Sequence, residues 1–307
     1  MKRAEAGGHR LGVALVTLSA VIWSTAGFFT RLIATDTWTL LFWRSAFGAL
    51  FLLAALVWQE RSGTLRAIGA MGWPGWAVAL LSTGIILTYL SALRLTAVAD
   101  VMIIQATLPF MVAGLAWLAM RERASRSTIL ASALATFGVM VMLGGAPLAG
   151  NPWGVILAFV TTALYAGVIV LLRWHRDVPM TAAALLAALM GSAVTLPFAR
   201  PAAVSATDLV YLIVFGGTQT GLAFLLLTKG SRLIPATETG LIGALETPLA
   251  PVWVWAAFGE APTTAAMIGG TIVLGAVVGH VVAESHPAPA HRNDPGGDIA
   301  RRESLEG

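Results

Sequence analysis

The sequence contains no cysteine and very little charge. Of its 307 residues, 11% are charged and 57% are hydrophobic, whereas an ordinary soluble domain is about 25% charged and about 45–50% apolar. Without cysteine the chain cannot form a disulfide scaffold or a thiolate-ligated metal site. So few charges cannot cover a water-facing surface, and many windows of about 20 residues are apolar enough to cross a hydrocarbon core about 30 Å thick. The composition therefore predicts an integral membrane protein.

Ten apolar runs, bounded by charged residues, Pro or Gly, have the length of membrane-spanning helices. They lie at residues 11–31, 38–59, 73–94, 98–120, 127–145, 153–173, 180–199, 208–228, 234–257 and 262–283. We therefore expect an all-α integral membrane protein with ten transmembrane helices. Because the loops between the runs are short, any binding site has to lie inside the helical bundle.

The distribution of Lys and Arg predicts the side on which each loop lies, because basic loops are retained in the cytoplasm during insertion. With a cytoplasmic N-terminus, fifteen of the 19 basic residues fall on the inner side and only Arg31, Arg94 and Arg200 on the outer side. We expect a multi-pass protein of the bacterial inner-membrane type with both termini in the cytoplasm. Residues 1–10 form its N-terminal segment, and the Pro-rich and charged residues 285–307 form a disordered cytoplasmic tail.

The two halves of the sequence carry the same pattern. A glycine, an aromatic residue and an arginine recur in the same order and with the same spacing: Gly12, Trp23 and Arg31, then Gly154, Tyr165 and Arg173. The predicted repeats, residues 11–146 and 153–284, each contain five spans. Because five is odd, the second repeat crosses the membrane upside down, as in many transporters with a binding site near the midplane.

The end of the ninth span has a distinctive sequence. Residues 246–255 read Glu-Thr-Pro-Leu-Ala-Pro-Val-Trp-Val-Trp, and residues 259–262 read Gly-Glu-Ala-Pro. With the ten spans and the two five-span halves, this segment resembles the EamA-type members of the drug/metabolite transporter superfamily. The resemblance implies transport, commonly outward, of amino acids, vitamins, nucleotide-sugar-like compounds or other metabolites. One departure is Thr247, which stands where the family usually has proline, with Pro248 one place later.

Glu246 is the strongest candidate for a functional residue. It lies near the middle of the ninth span, where an ionisable side chain costs about 2.5–3.5 kcal/mol to insert and marks a functional site by default. Thr239, Gly243 and Ala250 share its helical face, and small or polar neighbours indicate a face turned towards protein or water. We expect Glu246 to bind a proton or a substrate amine; the alternative is a permanent bond to a neighbouring helix.

Prolines predict interruptions in spans four and nine. Pro109, Pro248 and Pro251 each remove a backbone hydrogen bond and free the carbonyl four residues earlier. A free carbonyl at membrane depth needs a cavity, water or a neighbouring group. Gln105 lies on the same face as Pro109, so spans four and nine are expected to face each other across a pocket. A kink without a ligand is the alternative.

Four further side chains at depth are candidates for contact with a substrate. Trp23 and Tyr165 lie deeper than an interfacial aromatic belt, and together with Tyr89 they can stack on a planar or cationic ligand. Gln219 lies between two glycines near the middle of span eight. It either hydrogen-bonds a substrate or bridges two helices.

Arg44 is the basic residue within a predicted span, about 10 Å from the outer side at the helical rise of 1.5 Å per residue. It is a candidate to bind a substrate carboxylate. The alternative is a structural ion pair with Asp36 or Asp100, both of which belong to outer loops.

Three glutamates near span ends are candidate gate residues. Glu122 and Glu260 end spans four and nine at opposite surfaces. Glu238 lies about one turn inside the cytoplasmic end of span nine, near Lys229 and Arg232. It either forms a gating ion pair with these groups or is simply solvated.

Together these features predict a secondary active transporter that exports an amino acid or similar small polar metabolite by alternating access. The alternatives are an importer of a vitamin-like metabolite, a flippase of a lipid-linked carrier, a non-transporting membrane protein and an intramembrane enzyme. We do not expect an enzyme, a metal, a cofactor or nucleic acid binding, since the sequence has no H-E-x-x-H motif and no phosphate-binding loop. The expected partners are a small-molecule substrate, the lipid bilayer and protons, with the oligomeric state left open.

Overall fold

The fold is an all-helical bundle in which the described chain forms ten spans. The computed structural model describes residues 2–60, 66, 69–96, 98–144, 151–175, 180–259 and 261–285. The predicted tail beyond residue 285 and the candidate gate Glu260 lie outside these residues.

The helices of the described residues are α1 Lys2–Ser24, α2 Ala26–Leu32, α3 Thr37–Glu60, α4 Gly72–Leu95, α5 Val98–Gln105, α6 Leu108–Met120, α7 Arg126–Met142, α8 Pro152–Trp174, α9 Met180–Thr195, α10 Ala206–Phe215, α11 Ala223–Gly230, α12 Ala236–Gly243, α13 Glu246–Phe258 and α14 Thr264–Ser285. A π-helical segment, Gly216–Leu222, joins α10 to α11. Short 3₁₀ turns at Leu196–Phe198 and Pro201–Ala203 follow α9.

These helices account for the ten predicted spans. Eight stretches of the described residues are long and apolar enough to cross a membrane, and α7 is a shorter apolar helix of 17 residues. The remaining predicted span, the third, corresponds to α4, which has 24 residues. The prediction of an all-α, multi-pass membrane fold is confirmed. The largest difference in bounds is at the N-terminus, where α1 already begins at Lys2.

The packing of the spans repeats between the two halves. Span three packs against span six, and the equivalent pair in the exchanged halves, spans eight and one, also pack together. Likewise, span four packs against span six, and span nine packs against span one. Spans two and seven, four and nine, and five and ten each pack against their own counterpart. If each span is replaced by its counterpart in the other half, the same set of contacts is obtained. This symmetry is the pattern expected of two inverted five-helix repeats.

Spans four and nine are broken at the same point. The half-helices α5 and α12 have 8 residues each, and α6 and α13 have 13 residues each. The break lies at residues 106–107 in span four and at residues 244–245 in span nine, so the two breaks coincide when the repeats are aligned. Pro109 follows the first break and Pro248 the second, while Pro251 lies inside α13. In the first break, Thr136 Oγ1 donates a hydrogen bond to the Ala106 carbonyl at 2.8 Å.

The closest approach between spans five and ten depends on glycine. A Cβ added to Gly138 would lie only 2.8 Å from the carbonyl oxygen of Gly269. A Cβ at Gly275 or Gly279, elsewhere on span ten, would meet no atom within 4 Å among the described residues.

Candidate functional site

A cavity of about 300 Å³ lies between the two halves and is lined by spans one to four and six to nine. The seven side chains predicted to contact a substrate all line it: Trp23, Arg44, Tyr89, Gln105, Tyr165, Gln219 and Glu246. The sequence did not single out the four hydroxyl groups that also line the cavity: Ser45, Ser82, Thr161 and Thr220. Serine and threonine are common in membrane helices as local backbone partners, so no sequence signal distinguished these four.

Arg44 and Glu246 place one cationic and one anionic group in this cavity. Arg44 interacts electrostatically with both Tyr89 and Glu246. Its Nε atom is buried and has no hydrogen-bond partner among the described residues, and its guanidinium carbon lies 5.6 Å from the centre of the Phe215 ring. Buried polar groups are normally hydrogen-bonded, so this guanidinium has bonding capacity left for a bound molecule.

Asp36, one of the two carboxylates considered as partners of Arg44, is engaged elsewhere. It accepts hydrogen bonds from the Trp38 and Thr39 backbone amides, both at 3.0 Å, and from Thr39 Oγ1 at 2.6 Å. The bond from the Thr39 side chain is the main reason that the pKa of Asp36 lies below its usual value. Asp36 therefore caps the start of α3. The side chain of Asp100 lies outside the described residues.

Trp23 and Tyr165, which occupy equivalent positions in the two repeats, meet inside the cavity. Their rings contact edge to face, with centroids 6.1 Å apart and an interplanar angle of 76°. The Trp23 indole Nε1 donates a hydrogen bond to the Gln219 carbonyl at 2.9 Å, and Tyr165 interacts electrostatically with Glu246. The aromatic pair therefore connects span one to span six beside the carboxylate.

Gln219 bridges span eight to a break in span one. Its Nε2 donates to the Ile22 carbonyl at 2.7 Å and to Thr25 Oγ1 at 3.0 Å. Thr25 separates α1 from α2, and the bonds from Gln219 compensate for the backbone bonds lost there. The π-helical segment turns Gln219 towards this break, and π-helical turns often occur at functional sites. Gln219 thus bridges helices, as one of its two predicted roles required, and also lines the cavity.

Glu122 joins three helix ends on the side of the molecule where the N-terminus lies. Its Oε1 accepts a hydrogen bond from the Ala236 amide at 3.3 Å, and its Oε2 lies 3.5 Å from Arg173 Nε. Arg173 also donates to the Arg232 carbonyl at 3.0 Å. Because Ala236 begins α12, the carboxylate is favourably placed at the positive end of that helix. The contact ties α6 and α8 to the first half of span nine.

Glu238 is buried rather than solvated, so the solvated alternative was wrong. Its side chain lies on α12 where this helix packs against α1, and only 3% of the residue is exposed. His9 Nε2 lies 2.9 Å from Glu238 Oε2, and the other carboxylate oxygen has no partner among the described residues. The sequence missed His9 because it is 229 residues away from Glu238.

Comparisons with known proteins agree with this architecture. The chain matches the model of the EamA-like transporter family at residues 10–144 and again at residues 152–282. It is 28% identical over 274 residues to a protein of Archaeoglobus fulgidus named as an uncharacterized transporter, a match that covers 88% of this chain and 96% of the relative. A protein of known crystal structure superposes with a TM-score of 0.74 at 19% identity, covering 90% of this chain and 99% of that one. At 19% identity, the likeness to this crystal structure shows the fold alone.

Proposed function

This chain belongs to the EamA-like transporter family and is a multi-pass membrane transporter, and we propose that it exports amino acids or similar small polar metabolites. The observation that supports this substrate class is the presence of both Arg44 and Glu246 in the lining of one cavity. An amino acid carries one carboxylate and one ammonium group. The carboxylate would bind the Arg44 guanidinium, and the ammonium would bind the Glu246 carboxylate, so that both ends are paired away from water.

Alternating access is proposed to proceed through movement of α12. This half-helix is short, and the break at residues 244–245 separates it from Glu246. Glu122 and Glu238 hold its N-terminal end through Ala236 and His9. We place this end on the cytoplasmic side, following the basic loops, and propose that release of the two carboxylates opens the cavity inwards. The proposed outer gate residue, Glu260, lies outside the described residues.

Protons are the proposed coupling ion. Glu246 is the carboxylate in the cavity, so a proton and a substrate ammonium would compete for it. Binding of a proton from the outside would then displace the substrate outwards, and loss of that proton to the cytoplasm would restore the site. Such competition requires no second ion site.

A flippase is the second candidate, supported by a separate apolar cavity of about 350 Å³. It lies between α2 and α13 and is lined by Thr25, Phe28, Phe29, Trp253, Ala256 and Ala257. Trp253 Nε1 of span nine donates a hydrogen bond to Ser24 Oγ of span one at 2.8 Å. Thr25 lines this apolar cavity and accepts a hydrogen bond from Gln219, which lines the central cavity. We rank export of amino acids above this candidate because the central cavity is the more polar of the two and contains both charges.

The proposal is tested with purified protein in liposomes loaded with a mixture of the twenty common amino acids. We expect one chemical group of amino acids to leave the vesicles, faster when the outside is acidic. Protein-free vesicles and vesicles with equal pH on both sides serve as controls. If no amino acid leaves under any imposed proton or substrate gradient, the proposal is wrong; movement of a fluorescent lipid between leaflets would then favour the flippase.

A further inference from the structure

The cavity has a charged wall and an apolar wall, formed by spans two and seven. Helix α3 contributes Arg44 and Ser45, whereas α9 contributes three alanines, Ala184, Ala187 and Ala188. The spacing of three and four residues puts these alanines on one face of α9. Their methyl groups line the cavity, and the residues themselves are buried. A molecule in the cavity therefore meets a cation and a hydroxyl group from α3 and methyl groups from α9.

The contrast is sharp because α3 and α9 are counterparts in the two repeats. They pack against each other. At the spacing of 142 residues that relates Trp23 to Tyr165, Arg44 corresponds to Leu186 and Ser45 corresponds to Ala187. The inverted repeat therefore has a charged residue in span two and an apolar residue at the matching position of span seven.

Ala184 and Ala188 belong to the packed apolar core, but packing is not the only role of the three alanines, since all three also line the cavity. Small residues in membrane helices usually let neighbouring backbones approach, and on α9 Gly191 has this role, since an added Cβ would lie 2.9 Å from Ile86 and 3.3 Å from Ser45 Oγ. The alanines lie one to two turns away and face the cavity. The cavity is also lined by the apolar side chains of Ile85, Ile86, Val168 and Leu227 and by the hydroxyl groups of Ser45 and Ser82. The alanines themselves offer a bound molecule only methyl groups.

We propose that the alanine face of α9, formed by Ala184, Ala187 and Ala188, binds the apolar side chain of the substrate. The transporter then selects amino acids with bulky apolar side chains, such as leucine and phenylalanine, over alanine and serine. This inference rests on the proposed function, in which Arg44 and Glu246 hold the carboxylate and ammonium groups. A polar side chain would lose its water against these methyl groups without gaining a hydrogen bond from them.

The test fills the alanine face and compares substrates of different size. In liposomes containing Ala187→Leu or Ala188→Leu, we expect efflux of leucine and phenylalanine to fall by about tenfold or more, since each methylene in an apolar pocket changes selection by about 10- to 200-fold. Efflux of alanine and serine should keep its slower wild-type rate. The matched control is Ala193→Leu, which adds the same volume on the exposed face of the same helix and should change neither rate.

Each outcome bears on one claim. If the wild type exports leucine but the two leucine variants slow the efflux of large and small amino acids equally, or change neither, the alanine face does not determine selectivity. If the wild type exports no amino acid, the proposed function itself is wrong. Should both leucine variants fail to fold, Ala188→Val and the enlarging variant Ile86→Ala replace them. Ala188→Val is expected to slow phenylalanine most, and Ile86→Ala to admit larger side chains; the absence of both shifts would contradict the inference.

Discussion

Spans four and nine have the same backbone and different chemistry. Both consist of an 8-residue and a 13-residue half-helix, and both end in a left-handed residue, Arg121 with φ 56° and Gly259 with φ 72°. When the two breaks are aligned, Glu246 of span nine corresponds to Leu108 of span four, since each is the first residue of its second half-helix. The repeat therefore supplies a symmetric scaffold, and the carboxylate is added to only one copy.

Spans one and six differ in the opposite way, in backbone rather than in charge. Span one is broken at Thr25, whereas its counterpart α8 runs without a break over 23 residues. The break faces Gln219, whose amide binds the Ile22 carbonyl. The comparison teaches that Gln219 and Glu246, which both line the cavity, lie where the two repeats no longer match.

The largest effect is expected from removing the charge that distinguishes span nine from span four. Glu246→Gln should lower proton-driven efflux by about 100-fold or more, because the substrate ammonium loses its charged partner, which costs about 2–5 kcal/mol, and the cavity loses its proton-binding group. Leu108→Met, at the equivalent position of span four, should leave efflux close to the wild-type rate. Both rates are measured in liposomes with equal amounts of folded protein, and equal efflux from the two variants would contradict the assigned asymmetry.

The next effect concerns the broken first span. Gln219→Leu should lower the free energy of unfolding by about 0.5–1.5 kcal/mol, because the hydrogen bonds from its Nε2 to the Ile22 carbonyl and to Thr25 Oγ1 are lost. The matched control is Thr218→Val on the same π-helical segment, since Thr218 Oγ1 bonds only to its own helix. Thermal unfolding in detergent measures both. A midpoint for Gln219→Leu equal to that of the control would show that the break does not depend on this bridge.

A smaller energetic change should still alter access to the cavity. A carboxylate at a helix N-terminus contributes about 0.3–1 kcal/mol, so Glu122→Gln should loosen α12 without unfolding the protein. Because the chain has no cysteine, Leu227→Cys supplies a single thiol in the cavity lining. Its labelling by a membrane-impermeant maleimide from the cytoplasmic side should accelerate when Glu122→Gln is added.

The control for the labelling experiment is to add the reagent from the opposite side of the membrane. The same reagent added from the outer side should label Leu227→Cys no faster in the Glu122→Gln background than in its absence. Faster labelling from outside alone would place this gate at the other surface and overturn the assigned topology.

The ten spans were predictable because long apolar runs separated by charge leave few alternatives at this composition. The position of the Glu246 carboxylate within a span was also predictable, since a charge at membrane depth is conspicuous when only 11% of residues are charged. The break at Thr25 was not predictable, because no proline lies near it and the side chain that bridges it, Gln219, belongs to span eight. The His9–Glu238 pair was missed for the same reason, since it joins residues at opposite ends of the chain.

The apolar wall on α9 could not be inferred from the sequence either. Alanines at Ala184, Ala187 and Ala188 read like any small-residue face that packs against another helix. Only the structure shows that all three alanines also line the central cavity.

The central claim is that one molecule is held by its carboxylate at Arg44 and by its ammonium at Glu246. The most direct measurement is titration calorimetry of the purified wild type with leucine, leucinamide and N-acetylleucine, which respectively carry both charges, only the ammonium and only the carboxylate. We predict that leucine binds at least about tenfold more tightly than either derivative, since a hydrogen bond to a charged group contributes about 1.5–3 kcal/mol. Equal affinity for all three compounds would contradict the account.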